Sequence, residues 1–119
     1  AIARSRPHDL FIFGDNLVRK GTGGQACIRY ESNSWGIPTK QFPTMASTAF
    51  FYDATFQFND VIFNLICLTR CADHFKTIIF PEAGLGTGLA KMPEKAPLTY
   101  SAMNRFINLY FDIKYGDES

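Results

Sequence analysis

The chain has 119 residues, enough for one domain with a real core and too few for a separate catalytic module. Hydrophobic residues make up 46% and aromatic residues 15%, which excludes the disordered class. The net charge is +1 and the longest basic cluster is Arg19-Lys20, which argues against non-specific nucleic-acid binding through phosphate neutralisation.

The opening, Ala1 to His8, is polar and basic and lacks the apolar run of a signal peptide. No stretch approaches the roughly 20 apolar residues of a membrane span. A cytoplasmic protein with no membrane partner is expected. Leu10-Phe11-Ile12-Phe13 reads as a buried strand closed by Gly14-Asp15-Asn16. Gly21-Thr22-Gly23-Gly24 is too rich in glycine for helix, and Gln25 to Arg29 is placed to begin one. Cys27, Cys67 and Cys71 form an odd set with no histidine at zinc spacing, since His8 and His74 stand alone. Reduced thiols, and neither a metal site nor a cofactor, are therefore expected.

Ser34 to Pro38 looks like a second short strand, and Pro38 and Pro43 bracket an irregular stretch. Thr55 to Cys71 carries apolar residues at 58, 61, 62, 65, 66 and 68, which is helical spacing, with Asp53 or Thr55 able to cap its start. Thr77 to Phe80 is β-branched and aromatic, and Pro81 ends it as a strand. From Pro93 the chain reads as helix, with Pro93 or Pro97 in the first turn and Leu98, Met103, Phe106, Ile107 and Tyr110 on one face. The polar tail from Gly116 is expected to fray. Strands alternate with helices, so an α/β sheet covered on both faces is expected.

Each of the three strands is followed by a polar or glycine-rich loop. In open α/β sheets such loops gather at the carboxyl ends of the strands and form one crevice. Gly84-Leu85-Gly86-Thr87-Gly88 is the sharpest of them: three alternating glycines let successive N–H groups line an anion-binding concavity, the alternative being a tight turn between strand and helix. Gly23 and Gly24 sit just before the helix start at Gln25, where free N–H groups favour an anion, the alternative being a flexible surface loop. Thr39 and Lys40 leave the second strand, and Lys40 is placed either to pair with a phosphate or to stand in solvent. Gly14, Asp15 and Asn16 end the first strand. Asp15 and Asn16 can bond an adenine amino group and a ribose hydroxyl, or close an Asx-turn on their own backbone. Glu82 is the one carboxylate beside the third loop and the natural general base; an idle surface carboxylate is its alternative. Neither a Walker A nor a dinucleotide fingerprint is matched.

Phe11 to Asn16, Gly21 to Ala26, Gly36 to Lys40 and Phe80 to Gly88, taken in order, resemble the motifs of small macro-domain-like proteins of phages and bacteria. The resemblance implies a compact three-layer macro-domain-like fold over residues 1–119, with a mixed central sheet flanked by helices. It implies binding of ADP-ribose or a related NAD-derived nucleotide. Asp15 would contact adenine, with Asn16 as the alternative ribose contact. Gly23 and Gly24 would lie near the distal ribose, and Gly84, Gly86, Thr87 and Gly88 would wrap the diphosphate. The Asn-Ala-Ala-Asn segment of full macro domains is absent, and the chain is shorter than most. Two chemistries follow. One is an ADP-ribosyl hydrolase or ADP-ribose 1″-phosphate phosphatase using Glu82 and Asp15. The other is a non-catalytic phage protein that sequesters an NAD-derived signal in the host cytoplasm.

Overall fold

A computed structural model of the chain describes residues 2–111 and 114–115. Its secondary structure runs α1 (Ile2–Ser5), β1 (Asp9–Asn16), β2 (Ser34–Lys40), α2 (Thr55–Cys71), β3 (Thr77–Phe80), α3 (Met92–Lys95), α4 (Pro97–Tyr110) and β4 (Lys114–Tyr115). Short 3-10 turns lie between several of them. The strands form one sheet in the order β2-β1-β3-β4, and every pair is parallel.

The sheet is therefore not the mixed one the resemblance implies. Among the described residues no hairpin joins consecutive strands: β1 reaches β2 through a long loop, and β2 reaches β3 through α2. Each strand is thus brought back in the same direction, as a crossover requires.

Side-chain alternation along β1 divides the interior in two. Leu10 and Ile12 join Ile37, Phe80 and the buried faces of α2 and α4 in the main core, through Val61, Leu65, Leu68, Met103 and Ile107. Phe11 points the other way, to a small cluster with Ile79 and Ala3 of α1, against which Ile28 packs. Helical cover is thus unequal: two long helices on one face, one helical turn and a 3-10 turn on the other. Among the described residues, no helix is long and apolar enough to cross a membrane.

α2 spans the range expected from its spacing, but its cap does not come from Asp53. The Gln57 side-chain oxygen accepts the N–H groups of Tyr52 at 2.8 Å and Ala54 at 3.1 Å. Asp53 instead caps α4, accepting the N–H groups of Leu98 at 3.2 Å and Thr99 at 2.8 Å. The helix expected from Pro93 is split at Ala96, whose φ −143° and ψ 62° are non-helical. A residue preceding proline is disfavoured in the α region, so Pro97 starts a new helix rather than extending the old one. Gln25 to Arg29 forms no α-helix; the 3-10 turn there runs over Gly24–Ile28. The tail from Gly116 lies outside the described residues.

Candidate functional site

The chain order reverses at β1, which has β2 on one side and β3 on the other. This is the switch point at which parallel sheets open a crevice beyond their carboxyl ends. A pocket of about 390 Å³ sits there. β1 contributes Gly14, Asp15 and Asn16, β2 contributes Thr39 and Lys40, the first loop contributes Gly23, Gly24 and Gln25, and the loop after β3 contributes Gly86, Thr87 and Gly88. Three expected residues stand apart from the lining. Leu85 is buried in the main core. Gly84 lies behind the wall, its carbonyl accepting from Gln25. Glu82 is exposed at the start of the loop, outside the lining.

Gln25 staples the pocket together. Its side-chain oxygen accepts the Gly14 N–H at 2.8 Å, and its amide donates to the Gly84 carbonyl at 3.0 Å. One side chain thereby ties the first loop to the end of β1 and to the loop after β3. A Cβ at Gly14 would lie 3.1 Å from that oxygen and 3.3 Å from the Thr39 hydroxyl, so glycine permits the close fit.

Asp15 is occupied by arginine. Arg29 grips its carboxylate with two nitrogens, at 2.9 Å and 2.5 Å, and Arg19 adds a third contact at 2.9 Å. The Asn16 N–H also donates to it at 2.8 Å. Burial pushes the Asp15 carboxyl upward and is the largest single influence. The bonds from Arg29, Arg19 and Asn16 together outweigh it and hold the group below its ordinary value. Gly36 makes room for this carboxylate, since a Cβ there would stand 2.6 Å from it.

The same arginines set the loop between Asn16 and Gly24. Arg29 donates to the carbonyls of Gly21 at 2.7 Å and Lys20 at 3.0 Å, and Arg19 donates to Gly36 and Asn64. The Asn16 amide closes the turn by donating to the Lys20 carbonyl at 2.7 Å. Asp15 is therefore the anchor of a clamp that shapes the first loop.

In the loop after β3, Gly84, Gly86 and Gly88 all have positive φ. At Gly86 the need is double: φ is +80°, and a Cβ would stand 2.4 Å from the Met92 sulfur. The Gly86 carbonyl accepts the Met92 N–H at 2.8 Å, and the Thr87 hydroxyl donates to the Ala83 carbonyl at 3.0 Å. Among the described residues, the N–H groups of Gly21, Thr22, Gly23, Gly86 and Thr87 donate to no other group of the chain. Gly86 is buried as a residue and lines the pocket.

The charges around the pocket are uneven. Among the described residues Asp15 is the one acid in the lining, set against Lys20 and Lys40 in the lining and Arg19 and Arg29 on its own carboxylate. The Lys40 ammonium donates to the Thr44 carbonyl, and burial lowers its pKa. Sequence reasoning missed Lys20, Gly21, Ala26, Pro43, Ala83, Leu89 and Ala90 as lining residues and Arg29 as the clamp. The Arg19-Lys20 pair was visible as the longest basic cluster, but nothing local tells which carboxylate it meets.

The molecule is thus a small α/β protein with a parallel sheet and a pocket lined by glycine loops and two lysines at the switch point. Within that class, a family model described as a family of unknown function (DUF7831) matches residues 1–106, and the chain belongs to that family. No curated protein and no solved structure matches it. The macro-domain resemblance is corrected by this result: the family that matches is not a macro domain. The physical reason is that glycine loops at the carboxyl ends of parallel strands are a general solution for anions, so their order alone does not mark one family.

Proposed function

We propose that the switch-point pocket binds a phosphate-bearing nucleotide, with ADP-ribose or a related NAD-derived nucleotide as the first ligand to try. The observation that carries this reading is convergence: two glycine loops with unpartnered N–H groups and two lysines meet in one crevice. Loop amides and ammonium groups are what a phosphate requires. About 390 Å³ falls within the usual range for small-molecule sites. Among the described residues the lining has no aromatic side chain, so phosphate and ribose, rather than a stacked base, are the parts of the ligand that find support.

Binding without turnover is the form of the proposal. Asp15, held ionised between two guanidinium groups, is a poor proton acceptor, and Glu82 stands outside the lining. The test is calorimetry and thermal melting with ADP-ribose, ADP and NAD, followed by mass spectrometry of the recovered nucleotide. Saturating ligand at a hundred times its dissociation constant raises stability by about 2.7 kcal/mol. The nucleotide is expected back unchanged. No heat and no melting shift with any of the three at millimolar concentration would overturn the proposal; a hydrolysed product would overturn its non-catalytic form.

A further inference from the structure

Beside the pocket, three lysines converge on one phenylalanine. The ammonium nitrogens of Lys40, Lys95 and Lys91 lie 5.2, 5.5 and 5.9 Å from the centre of the Phe50 ring. No two of them can be farther apart than the sum of their distances to that centre. That bound is longer than the Debye length of about 8 Å in physiological salt, so screening reduces their repulsion, which is greatest where two ammonium groups come closest. Phe50 is buried and fixed by its backbone bridge to Lys40. Lys91 and Lys95 are one helical turn apart, joined by the bond from the Lys95 N–H to the Lys91 carbonyl at 2.8 Å. Among the described residues, the one carboxylate paired with an ammonium of the trio belongs to Glu94, 3.8 Å from Lys95, with a side chain that is largely exposed.

A ring face attracts a cation, but one ring does not cancel the mutual repulsion of three. Lys91 also holds a left-handed conformation, with φ +51° and ψ 34°, which a side chain other than glycine, asparagine or aspartate rarely takes. This conformation closes the 3-10 turn Gly88–Ala90, whose C-cap is Lys91. The trio abuts the pocket: Lys40 belongs to both, and Leu89 and Ala90 of the pocket wall lead directly into Lys91.

We infer that the ligand carries a further phosphate beyond the one on the glycine loops, and that Lys40, Lys91 and Lys95 receive it. The site then favours nucleotides with a phosphoanhydride chain over monophosphates. This rests on the pocket reading and adds the identity of the ligand class.

The experiment is calorimetry of AMP, ADP and ATP at constant ionic strength, with the parent protein and with Lys91→Gln/Lys95→Gln. Both lysines are exposed, and a matching circular dichroism spectrum and melting curve check the fold. In the parent, affinity is expected to climb from AMP to ATP. In the variant, AMP affinity stays and the climb shrinks by about threefold per lysine, roughly tenfold for the pair. A climb of unchanged size in the variant overturns the inference, as does equal affinity for all three nucleotides in the parent. Equal loss for AMP and ATP in the variant also overturns it, because the lysines would then serve the pocket as a whole. Absence of binding by any of the three in the parent is different: the pocket reading itself then fails and takes this one with it. If the double variant melts early, Lys95→Gln alone carries the same comparison with half the effect.

Discussion

Replacing Asp15 by asparagine tests whether this residue is the anchor of the first loop. The Asp15 side chain is 2% exposed and that of Arg29 9% exposed, so their pairing is desolvated, whereas Arg19 at 41% is partly screened by water. Removing one partner of a buried pair costs about 3–5 kcal/mol because the other charge is left unmet. Asparagine keeps one oxygen for Arg29, so the low end, about 3 kcal/mol, is expected. For a domain of this size that is a fall in melting temperature of roughly 10 °C. Arg29→Gln should cost a similar amount, and the double variant should cost clearly less than the two singles added together. The pH dependence has a definite sign. Because the folded-state pKa of Asp15 lies below its unfolded value, its stabilisation is complete above the unfolded value of about 3.9. It is lost as pH falls through the folded value. The gap between parent and Asp15→Asn should therefore be constant from pH 7 to about pH 5 and close in more acidic buffer. A melting temperature within about 2 °C of the parent at pH 7, or a gap that widens in acid, would refute the clamp.

Two further substitutions separate pocket from scaffold. Gly23 has φ −79° and ψ 152°, an extended conformation any residue adopts, and a Cβ there meets nothing within 4 Å. Gly23→Ile should therefore block the pocket while leaving the melting temperature within about 1 °C; undiminished ADP-ribose heat in this folded variant would exclude the crevice as the site. Gln25→Ala removes both ends of the staple, and two net hydrogen bonds are worth about 2 kcal/mol. Its melting temperature should fall by several degrees and nucleotide affinity should fall with it; a drop in stability with affinity intact would show that the loops hold their shape without Gln25.

Much of the fold is legible in the residues because it rests on periodic burial. α2 declares itself through seventeen residues of helical spacing, and β1 and β3 through short apolar runs that end in glycine or proline. What stays hidden depends on contacts between distant segments. Asp53 sits two residues before α2 and looks like its cap, yet its carboxylate reaches α4, 45 residues on. The bridge from Lys40 to Phe50 follows no hydrophobic pattern, and the two-residue β4 is too short to leave one. At Ala96 the proline rule and the helical pattern conflict, and the proline rule wins.

The site divides along the same line. Its loops can be read from glycine spacing, because backbone conformation is a local property. The fate of a carboxylate is not local: Asp15 beside a glycine loop looks equally suited to a ligand or to an arginine, and only the arrival of Arg29, fourteen residues later, decides it. Charge shows the same effect on a larger scale. A net charge of +1 averaged over 119 residues argues against non-specific nucleic-acid binding and leaves a single nucleotide open. Folding brings Lys20 and Lys40 into one pocket and sets Lys91 and Lys95 beside it, while Glu82 stays outside the lining. A phosphate responds to the field within a Debye length of about 8–10 Å, not to the sum over the chain. A nearly neutral protein can therefore present a strongly basic crevice, and its overall charge is no guide to whether that crevice holds a nucleotide.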